Sequence, residues 1–315
     1  MIWKKKGLIC SIDSLSNWAK SHVHVVCVIN YTEDILRVYF SSRDDLGRCR
    51  PSYLDLDANN PSKILNILDR PILDLGDAGT FDDCGIMPTW VIKNKNEFFL
   101  YYIGWNVRNT VPYHNSIGLA SSSDGHQFNK KFHGPIIQRN HLEPYFNGSA
   151  CILKDKGVFK MWYLSCTKWE EINNKKEPFY NIKYAESVDG IIWKRNNITC
   201  IDFLNDNEGG ISRPSVIIEN GVYKMWYSYR GKTNYRQNED INQSYRIGYA
   251  ESVNGITWKR LDDSSLSLDI SSGSEWDNFM LEYPCVIDVK GKRYMFYNGN
   301  GFGESGFGYA QLEGH

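Results

Sequence analysis

The sequence predicts an all-β protein, specifically a five-bladed β-propeller built from four-stranded antiparallel blades. Three observations carry this prediction: the composition, an internal repeat, and turn-forming pairs inside the repeat. The 315 residues include 20 Tyr, 14 Phe, 10 Trp and 26 Gly, which favours strands and tight turns. The 36 basic and 37 acidic residues leave a net charge of −1, which argues against a nucleic-acid or membrane-surface partner.

The repeat is clearest in two 14-residue segments whose starts lie 65 residues apart. Segment 182–195 reads IKYAESVDGIIWKR, and segment 247–260 restates it as IGYAESVNGITWKR. A weaker copy occupies 117–128, and a truncated copy lies at 307–310. An aromatic run precedes each copy, and a short apolar run precedes each aromatic run. These two runs are the first and second strands of a unit, and the copy itself supplies the third and fourth. Radial repetition of four-stranded units is typical of propellers.

The repeat divides the chain into five units of about 63 residues within one domain, 1–315. The predicted blades cover roughly 13–80, 81–140, 141–205, 206–275 and 276–315. Asp189-Gly190 and Asn254-Gly255 supply the positive-φ residues of a hairpin between the third and fourth strands. The last unit lacks a fourth strand, so we expect the N-terminal segment around Ile2 to Ile12 to close the ring there.

The predicted functional face is the one that carries the long loops and the starts of the innermost strands. Successive strands are antiparallel, so the loops 104–115, 165–181 and 228–245 lie on the same face as those starts. Unlike the strands behind them, the residues at these positions differ from blade to blade, as in a site built on a repeated scaffold. Candidate substrate-binding residues are His22, His24, Arg43, Trp105, Asn147, Arg213, Arg230 and Tyr283, and candidate catalytic carboxylates are Asp82, Asp83 and Glu282. Aromatic faces beside hydrogen-bonding groups suit a carbohydrate.

The chain resembles the five-bladed β-propeller glycosidases, that is, glycoside hydrolase families 32, 43, 68 and 130 and their relatives. The resemblance rests on the repeated Tyr-Ala-Glu-Ser-x-Asp-Gly-x-x-Trp-type signatures and on the lead-ins Phe81-Asp82-Asp83 and Trp276-Asp277-Asn278. By position, it implies Glu282 as acid, Asp82 or Asp83 as base or orienting carboxylate, and Arg213 as a substrate clamp. For a phosphorylase such as many members of family 130, it implies a cationic phosphate site formed by Arg43, Arg213, Arg230 and His22.

The first blade departs from the pattern of families 32, 43 and 68. Those families carry an Asp at the start of the first innermost strand, whereas this chain has Ser21-His22-Val23-His24. An imidazole there could act as a general base or bind a metal or phosphate. The alternative is that glycosidase chemistry has been lost and sugar binding remains.

The predicted function is that of an intracellular glycoside hydrolase or phosphorylase acting on a small oligosaccharide or sugar conjugate. The alternative is a non-hydrolytic sugar- or nucleotide-sugar-binding propeller in glycan biosynthesis. The expected partner is a small carbohydrate or sugar phosphate, with no nucleic acid and no membrane. The eight cysteines show no metal-ligand spacing, so we expect buried free thiols, no metal and no cofactor. We find no signal peptide or membrane span and expect a cytoplasmic location.

Overall fold

Apolar and aromatic runs of the sequence form strands along the whole described chain. The computed structural model describes residues 1–236, 240–270 and 274–314. The strands are β1 Ile2–Cys10, β2 Ser21–Asn30, β3 Ile35–Arg43, β4 Cys49–Asp57, β5 Asn60–Ile67, β6 Gly85–Asn94, β7 Glu97–Val107, β8 Tyr113–Ser122, β9 Asn129–Lys130, β10 Asn147–Asp155, β11 Val158–Ile172, β12 Lys175–Ser187, β13 Lys194–Ile201, β14 Glu208–Glu219, β15 Val222–Gly231, β16 Arg246–Ser252, β17 Lys259–Arg260, β18 Glu282–Val289, β19 Lys292–Asn298 and β20 Phe307–Glu313. Helical structure is limited to the turns Ile12–Ser14 and Asn300–Gly303 in these residues. The predicted all-β class is confirmed.

Antiparallel pairing groups these strands into five sets of four. Four sets are consecutive in sequence, namely β2 to β5, β6 to β9, β10 to β13 and β14 to β17. The last set takes its fourth strand from the other end of the chain, because β1 pairs with β20, with Ile2 opposite Glu313. Single parallel pairs, Cys49 with Gly85 and Tyr180 with Gly210, join neighbouring sets. Hydrogen bonds do not join the described strands into one closed sheet.

The first strand of each set is the innermost one. These five strands contact one another in a cyclic order: β2 contacts β6, β6 contacts β10, β10 contacts β14, β14 contacts β18, and β18 contacts β2. Strand starts that are far apart in sequence therefore meet at one place.

The repeated hairpin serves both turn geometry and packing between sets. Gly190 has a φ of 76°, which an L side chain rarely adopts. Its carbonyl oxygen accepts a hydrogen bond of 2.8 Å from the Tyr101 hydroxyl of the preceding set. The Trp162 indole donates in the same way to the Gly255 carbonyl at 2.7 Å. The repeated signature therefore fixes how one set packs on the next.

A second repeated feature is a buried carboxylate held by a tyrosine hydroxyl and a cation. In the second set, the Tyr102 hydroxyl donates to Asp82 at 3.1 Å, and the Lys130 ammonium lies 2.7 Å from the same carboxylate. The corresponding groups are Tyr163 with Glu143 and Arg195, Tyr227 with Asp262 and Arg260, and Tyr297 with Asp277 and Lys5. Repetition in four sets marks this arrangement as part of the scaffold.

Candidate functional site

The innermost strands bulge where they approach one another. A register shift interrupts each of them near its start. Val25, Ser149, Arg213 and Tyr283 take positive φ values of 55°, 42°, 50° and 56° at these shifts. Such conformations cost roughly 1–3 kcal/mol each and cluster at functional sites, and a bulge redirects a side chain. The bulges direct residues from four of the five sets toward one cavity or the floor beneath it.

That cavity, which we call the central cavity, has a volume of about 330 Å³. Its lining residues are His24, Val25, Arg43, Cys49, Met87, Ile103, Trp105, Tyr113, Asn115, Phe146, Ser149, Leu164, Tyr180, Ser212, Tyr235, Arg236, Tyr245, Tyr283 and Phe302. The volume falls within the ~300–1,000 Å³ of small-molecule sites, and aromatic walls with a few polar groups are typical of them. Of the predicted binding residues, His24, Arg43, Trp105 and Tyr283 line this cavity.

The charges that line the central cavity are positive. Among the described lining residues, Arg43 and Arg236 are the charged side chains, and none is Asp or Glu. Arg236 forms an ion pair with Glu177, which also accepts a hydrogen bond of 2.5 Å from the Tyr235 hydroxyl. The charge of Arg236 is therefore paired within the protein, although its side chain is 40% exposed.

Arg43 differs, because it forms no ion pair with any carboxylate in the described part of the chain. The acid next to it in sequence, Asp44, is occupied by Arg48 at 2.9 Å and Arg50 at 3.1 Å. Asp44 is thus paired with other arginines, and Arg43 carries its charge into the lining of the cavity.

The two histidines beside Arg43 are neutral. Burial and the Arg43 charge lower the pKa of His22 to about 4. Burial lowers the pKa of His24 well below its usual value, and the neighbouring His22 and Arg43 act in the same direction. The His24 ring lines the cavity and lies 3.7 Å from the Cys49 thiol, while His22 hydrogen-bonds Ser21 and does not line it. Two neutral imidazoles leave Arg43 as the charged group of this wall.

Glu282 lies at the start of β18 and is 0% exposed. Neither carboxyl oxygen makes a hydrogen bond of ordinary geometry to the described residues. Burial raises its pKa well above the usual value, although the neighbouring Tyr283 side chain and the Arg230 charge oppose this effect. Glu282 is the last paired residue before the register shift of β18. His24 and Ser212 occupy the same position in β2 and β14, and both line the cavity. Burial therefore favours the neutral form of Glu282, which is next in sequence to the cavity-lining Tyr283, and a neutral carboxyl group can donate a proton.

The other two predicted catalytic carboxylates do not reach the central cavity. Asp82 is one of the repeated tyrosine-held carboxylates, and it lines a separate cavity of about 290 Å³ with Lys130 and Thr80. Asp83 is half-buried and accepts a hydrogen bond of 2.9 Å from the Gly79 amide. Asp82 and Asp83 lie in the turn before β6 rather than on a strand, and neither side chain lines the central cavity. The expected pair of facing carboxylates is not formed.

Three predicted binding residues hold the walls rather than line them. Arg213 is completely buried and donates to the backbone carbonyls of Val26 and Thr89, which ties three innermost strands together below the cavity. It is not the ion-pair partner of Glu282. Asn147 is buried and donates to Glu143 at 3.0 Å.

Arg230, the third of these residues, supports a group of cavity-lining tyrosines. Its guanidinium lies 3.7 Å from the centre of the Tyr235 ring and donates to the Tyr180 and Tyr245 hydroxyls at 3.0 and 3.3 Å. Its other two nitrogens donate to the backbone carbonyls of Gly231 and Pro178. Each of its nitrogens thus has a protein partner, and it positions tyrosines rather than ligand.

The tyrosine-rich wall was not predicted residue by residue. The lining residues that the sequence did not single out include Tyr113, Asn115, Tyr180, Tyr235, Arg236 and Phe302. Tyr235, Arg236 and Tyr245 lie between β15 and β16, within the segment 228–245 that was predicted as a long loop, so loop length was the available signal. Which of its side chains turn inward depends on packing against Arg230 and Glu177.

No metal or membrane feature appears in the part of the chain that the structure describes. Its His, Cys, Asp and Glu side chains form no group of three that could hold a metal ion. No helix there is long and apolar enough to cross a membrane. All eight cysteines are free thiols, and seven of them are buried.

Solved structures share this fold. The chain superposes on a glycoside hydrolase with a TM-score of 0.72 at 17% identity, covering 98% of this chain and 90% of that one. A thermostable family-43 glycoside hydrolase gives a TM-score of 0.66 at 18% identity, covering 96% and 91%. A family-32 β-fructofuranosidase of Bombyx mori gives 0.58 at 14% identity, covering 96% of this chain and 63% of that one. At these identities the likeness establishes the fold alone.

Sequence comparison identifies relatives along the entire chain. No protein-family model matches it. Two proteins of Mycobacterium tuberculosis, MT1551 of strain CDC 1551 and Rv1502 of strain H37Rv, are each 36% identical over 313 residues, which cover 99% of this chain and 100% of theirs. Both carry the description "uncharacterized protein". The chain therefore belongs to the same family as the mycobacterial proteins MT1551 and Rv1502.

Proposed function

We propose that the chain is a single five-bladed β-propeller in which each set of four strands is a blade. The cyclic contacts of the innermost strands support this count. The pairing of β1 with β20 supports closure of the ring by the N-terminal segment.

We propose that the protein is carbohydrate-active and that it cleaves a glycosidic bond of a small sugar conjugate bound in the central cavity. The observation that carries this proposal is Glu282, a fully buried carboxyl group that makes no hydrogen bond of ordinary geometry to the described residues, whose pKa is raised by burial and which is next in sequence to the cavity-lining Tyr283. A neutral carboxyl group protonates the departing oxygen of a glycoside. Trp105 and Tyr283 supply faces on which a sugar ring stacks.

The attacking group, in this proposal, comes from a co-substrate. Glycosidases that use two carboxylates hold them about 5–5.5 Å apart for retention or about 6.5–9.5 Å apart for inversion. Among the described residues, no Asp or Glu lines the central cavity, so Glu282 has no second carboxylate facing it there. Phosphate at Arg43 would supply a nucleophile. Its oxygen bonds to the anomeric carbon as the glycosidic bond breaks, and the leaving oxygen takes the proton of Glu282.

The test is turnover of aryl glycosides and oligosaccharides, each with and without phosphate, by the wild type and by Glu282→Gln. We expect phosphate-dependent turnover by the wild type and a loss of about 100-fold or more in the variant. Glu186→Gln, at an exposed position of the third set, is the matched control and keeps full activity. Equal activity in Glu282→Gln contradicts the assigned role.

A second candidate function is sugar binding without cleavage. It is favoured by the complete burial of Glu282, which does not itself line the cavity. If no probe is turned over and sugars still raise the melting temperature, this second function replaces the first. If sugars neither react nor bind, both are rejected.

A further inference from the structure

Five equivalent positions encircle the floor below the central cavity. Each is the first paired residue after the register shift of an innermost strand. In ring order they are Cys27, Trp90, Cys151, Ser215 and Cys285. Within this ring of positions, cysteines are neighbours at one place, where the last innermost strand meets the first.

The two cysteines at that place lie close together. Both are buried, at 1% exposure each, and each thiol shifts the pKa of the other, that of Cys27 upward and that of Cys285 downward. The Val28 amide, next to Cys27 in sequence, donates to the Cys285 sulfur at 3.2 Å. In the same way, the Cys151 sulfur accepts a hydrogen bond of 3.3 Å from the Val216 amide. The next position of the ring after Cys151 is Ser215, so Cys151 has no neighbouring cysteine in the ring.

A buried cation lies beside this thiol pair. Arg213 donates to the Val26 carbonyl, and its Nε atom has no hydrogen-bond partner among the described residues. The neighbouring Cys27 thiol and the Arg213 charge lower the pKa of Cys285, while burial raises the pKa of Cys27. Cys285 is thus the more acidic of the two thiols, and the thiolate is the form that reacts in disulfide chemistry.

We propose that Cys27 and Cys285 are a disulfide-forming pair that cross-links the first and last innermost strands on exposure to a peroxide. The Cys285 thiolate attacks hydrogen peroxide and becomes a sulfenic acid, and the displaced hydroxide takes up a proton to give water. The Cys27 sulfur then attacks the sulfenic sulfur, its proton leaves with the departing hydroxide, and a second water forms. Two thiols are oxidised and one peroxide is reduced.

The cross-link stabilises the fold at the point where the two ends of the chain meet. It encloses residues 27–285, and a disulfide that closes a long loop removes much entropy from the unfolded state. Tyr283 and Val25, which line the central cavity, each lie two residues before a member of the pair. The bond therefore forms beneath the candidate site.

The test compares reduced and peroxide-treated full-length protein by peptide mapping and urea unfolding. We expect a cross-linked peptide pair containing Cys27 and Cys285, a loss of two hydrogens from the intact mass, and a higher urea midpoint after oxidation. Cys151→Ser is the matched control and keeps all three changes. Cys27→Ser abolishes them.

Absence of the cross-linked peptides in the wild type overturns the proposal, as does an equal yield of other cysteine pairs. An unchanged urea midpoint in protein that carries the cross-link overturns the stabilising role. If Cys27→Ser does not fold, Cys285→Ala and the wild-type peptide map decide the same question. Turnover and sugar binding play no part in these readouts.

Discussion

The substitution Glu282→Gln tests the unusual state of this carboxyl group through stability alone. Glutamine has nearly the same shape as a protonated glutamic acid but does not titrate. Burial raises the pKa of Glu282 well above its usual value in the folded protein, whereas in the unfolded chain the pKa is about 4.3. Between the two pKa values, the folded protein holds a proton that the unfolded chain has released.

The direction and size of the effect follow from that difference. Since the folded state binds more protons, its free energy of unfolding falls as the pH rises. The fall is about 1.4 kcal/mol for each pH unit above the unfolded pKa, until the folded pKa is reached. Below that range the contribution is fully present. The Gln variant lacks this loss, so it gains on the wild type as the pH rises above about 4, and a range of about pH 4 to 8 is suitable for the measurement.

The assay is urea unfolding followed by tryptophan fluorescence, across that pH range at fixed ionic strength. Glu143→Gln is the matched control, because Glu143 is equally buried but accepts hydrogen bonds from Tyr163 at 2.9 Å and Ser165 at 2.7 Å. Removing its charge destabilises the protein by about 3 kcal/mol near neutral pH. Wild-type and Glu282→Gln curves that stay parallel with pH would refute the reasoning.

Two further predictions concern one charged residue that lines the central cavity, Arg43, and one that does not, Asp82. Arg43→Gln weakens binding of glucose 1-phosphate about tenfold or more by calorimetry, because it removes a charge-assisted contact. The control Arg48→Gln leaves that affinity unchanged, and an equal loss in both variants contradicts the subsite. Asp82→Asn breaks the ion pair with Lys130 and weakens the Tyr102 contact, so it lowers the free energy of unfolding by about 2 kcal/mol in urea. We expect the sugar affinity of Asp82→Asn to equal that of the wild type, and a loss of affinity would show that Asp82 takes part in binding.

The fold was readable from the sequence because its determinants are local and repeated. The Asp-Gly and Asn-Gly pairs dictate a hairpin by backbone geometry, and Gly190 adopts the positive φ that this requires. The aromatic runs predicted partners across neighbouring sets, as Trp162 and Gly255 show. These features depend on a few consecutive residues, so they can be recognised in the sequence without knowing the tertiary structure.

The site was only partly readable, because its residues are placed by irregularities of the strands. His24, Arg43, Trp105 and Tyr283 were expected in the cavity and line it. Asp82 was expected there too, but a tyrosine and a lysine hold it elsewhere. No sequence pattern marked that alternative, since the lysine comes from the distant end of the same set.

The sequence by itself determined the all-β class, the repeated four-strand unit and the set of strand starts from which a site could be built. Only the tertiary structure decided which of the charged groups there are neutralised and which are not. Burial and partners fix protonation and charge, and both depend on contacts between residues far apart in the chain. For that reason the pKa of Glu282 is raised and Arg43 has no carboxylate partner among the described residues, whereas Arg236 and Asp82 are each held in an ion pair.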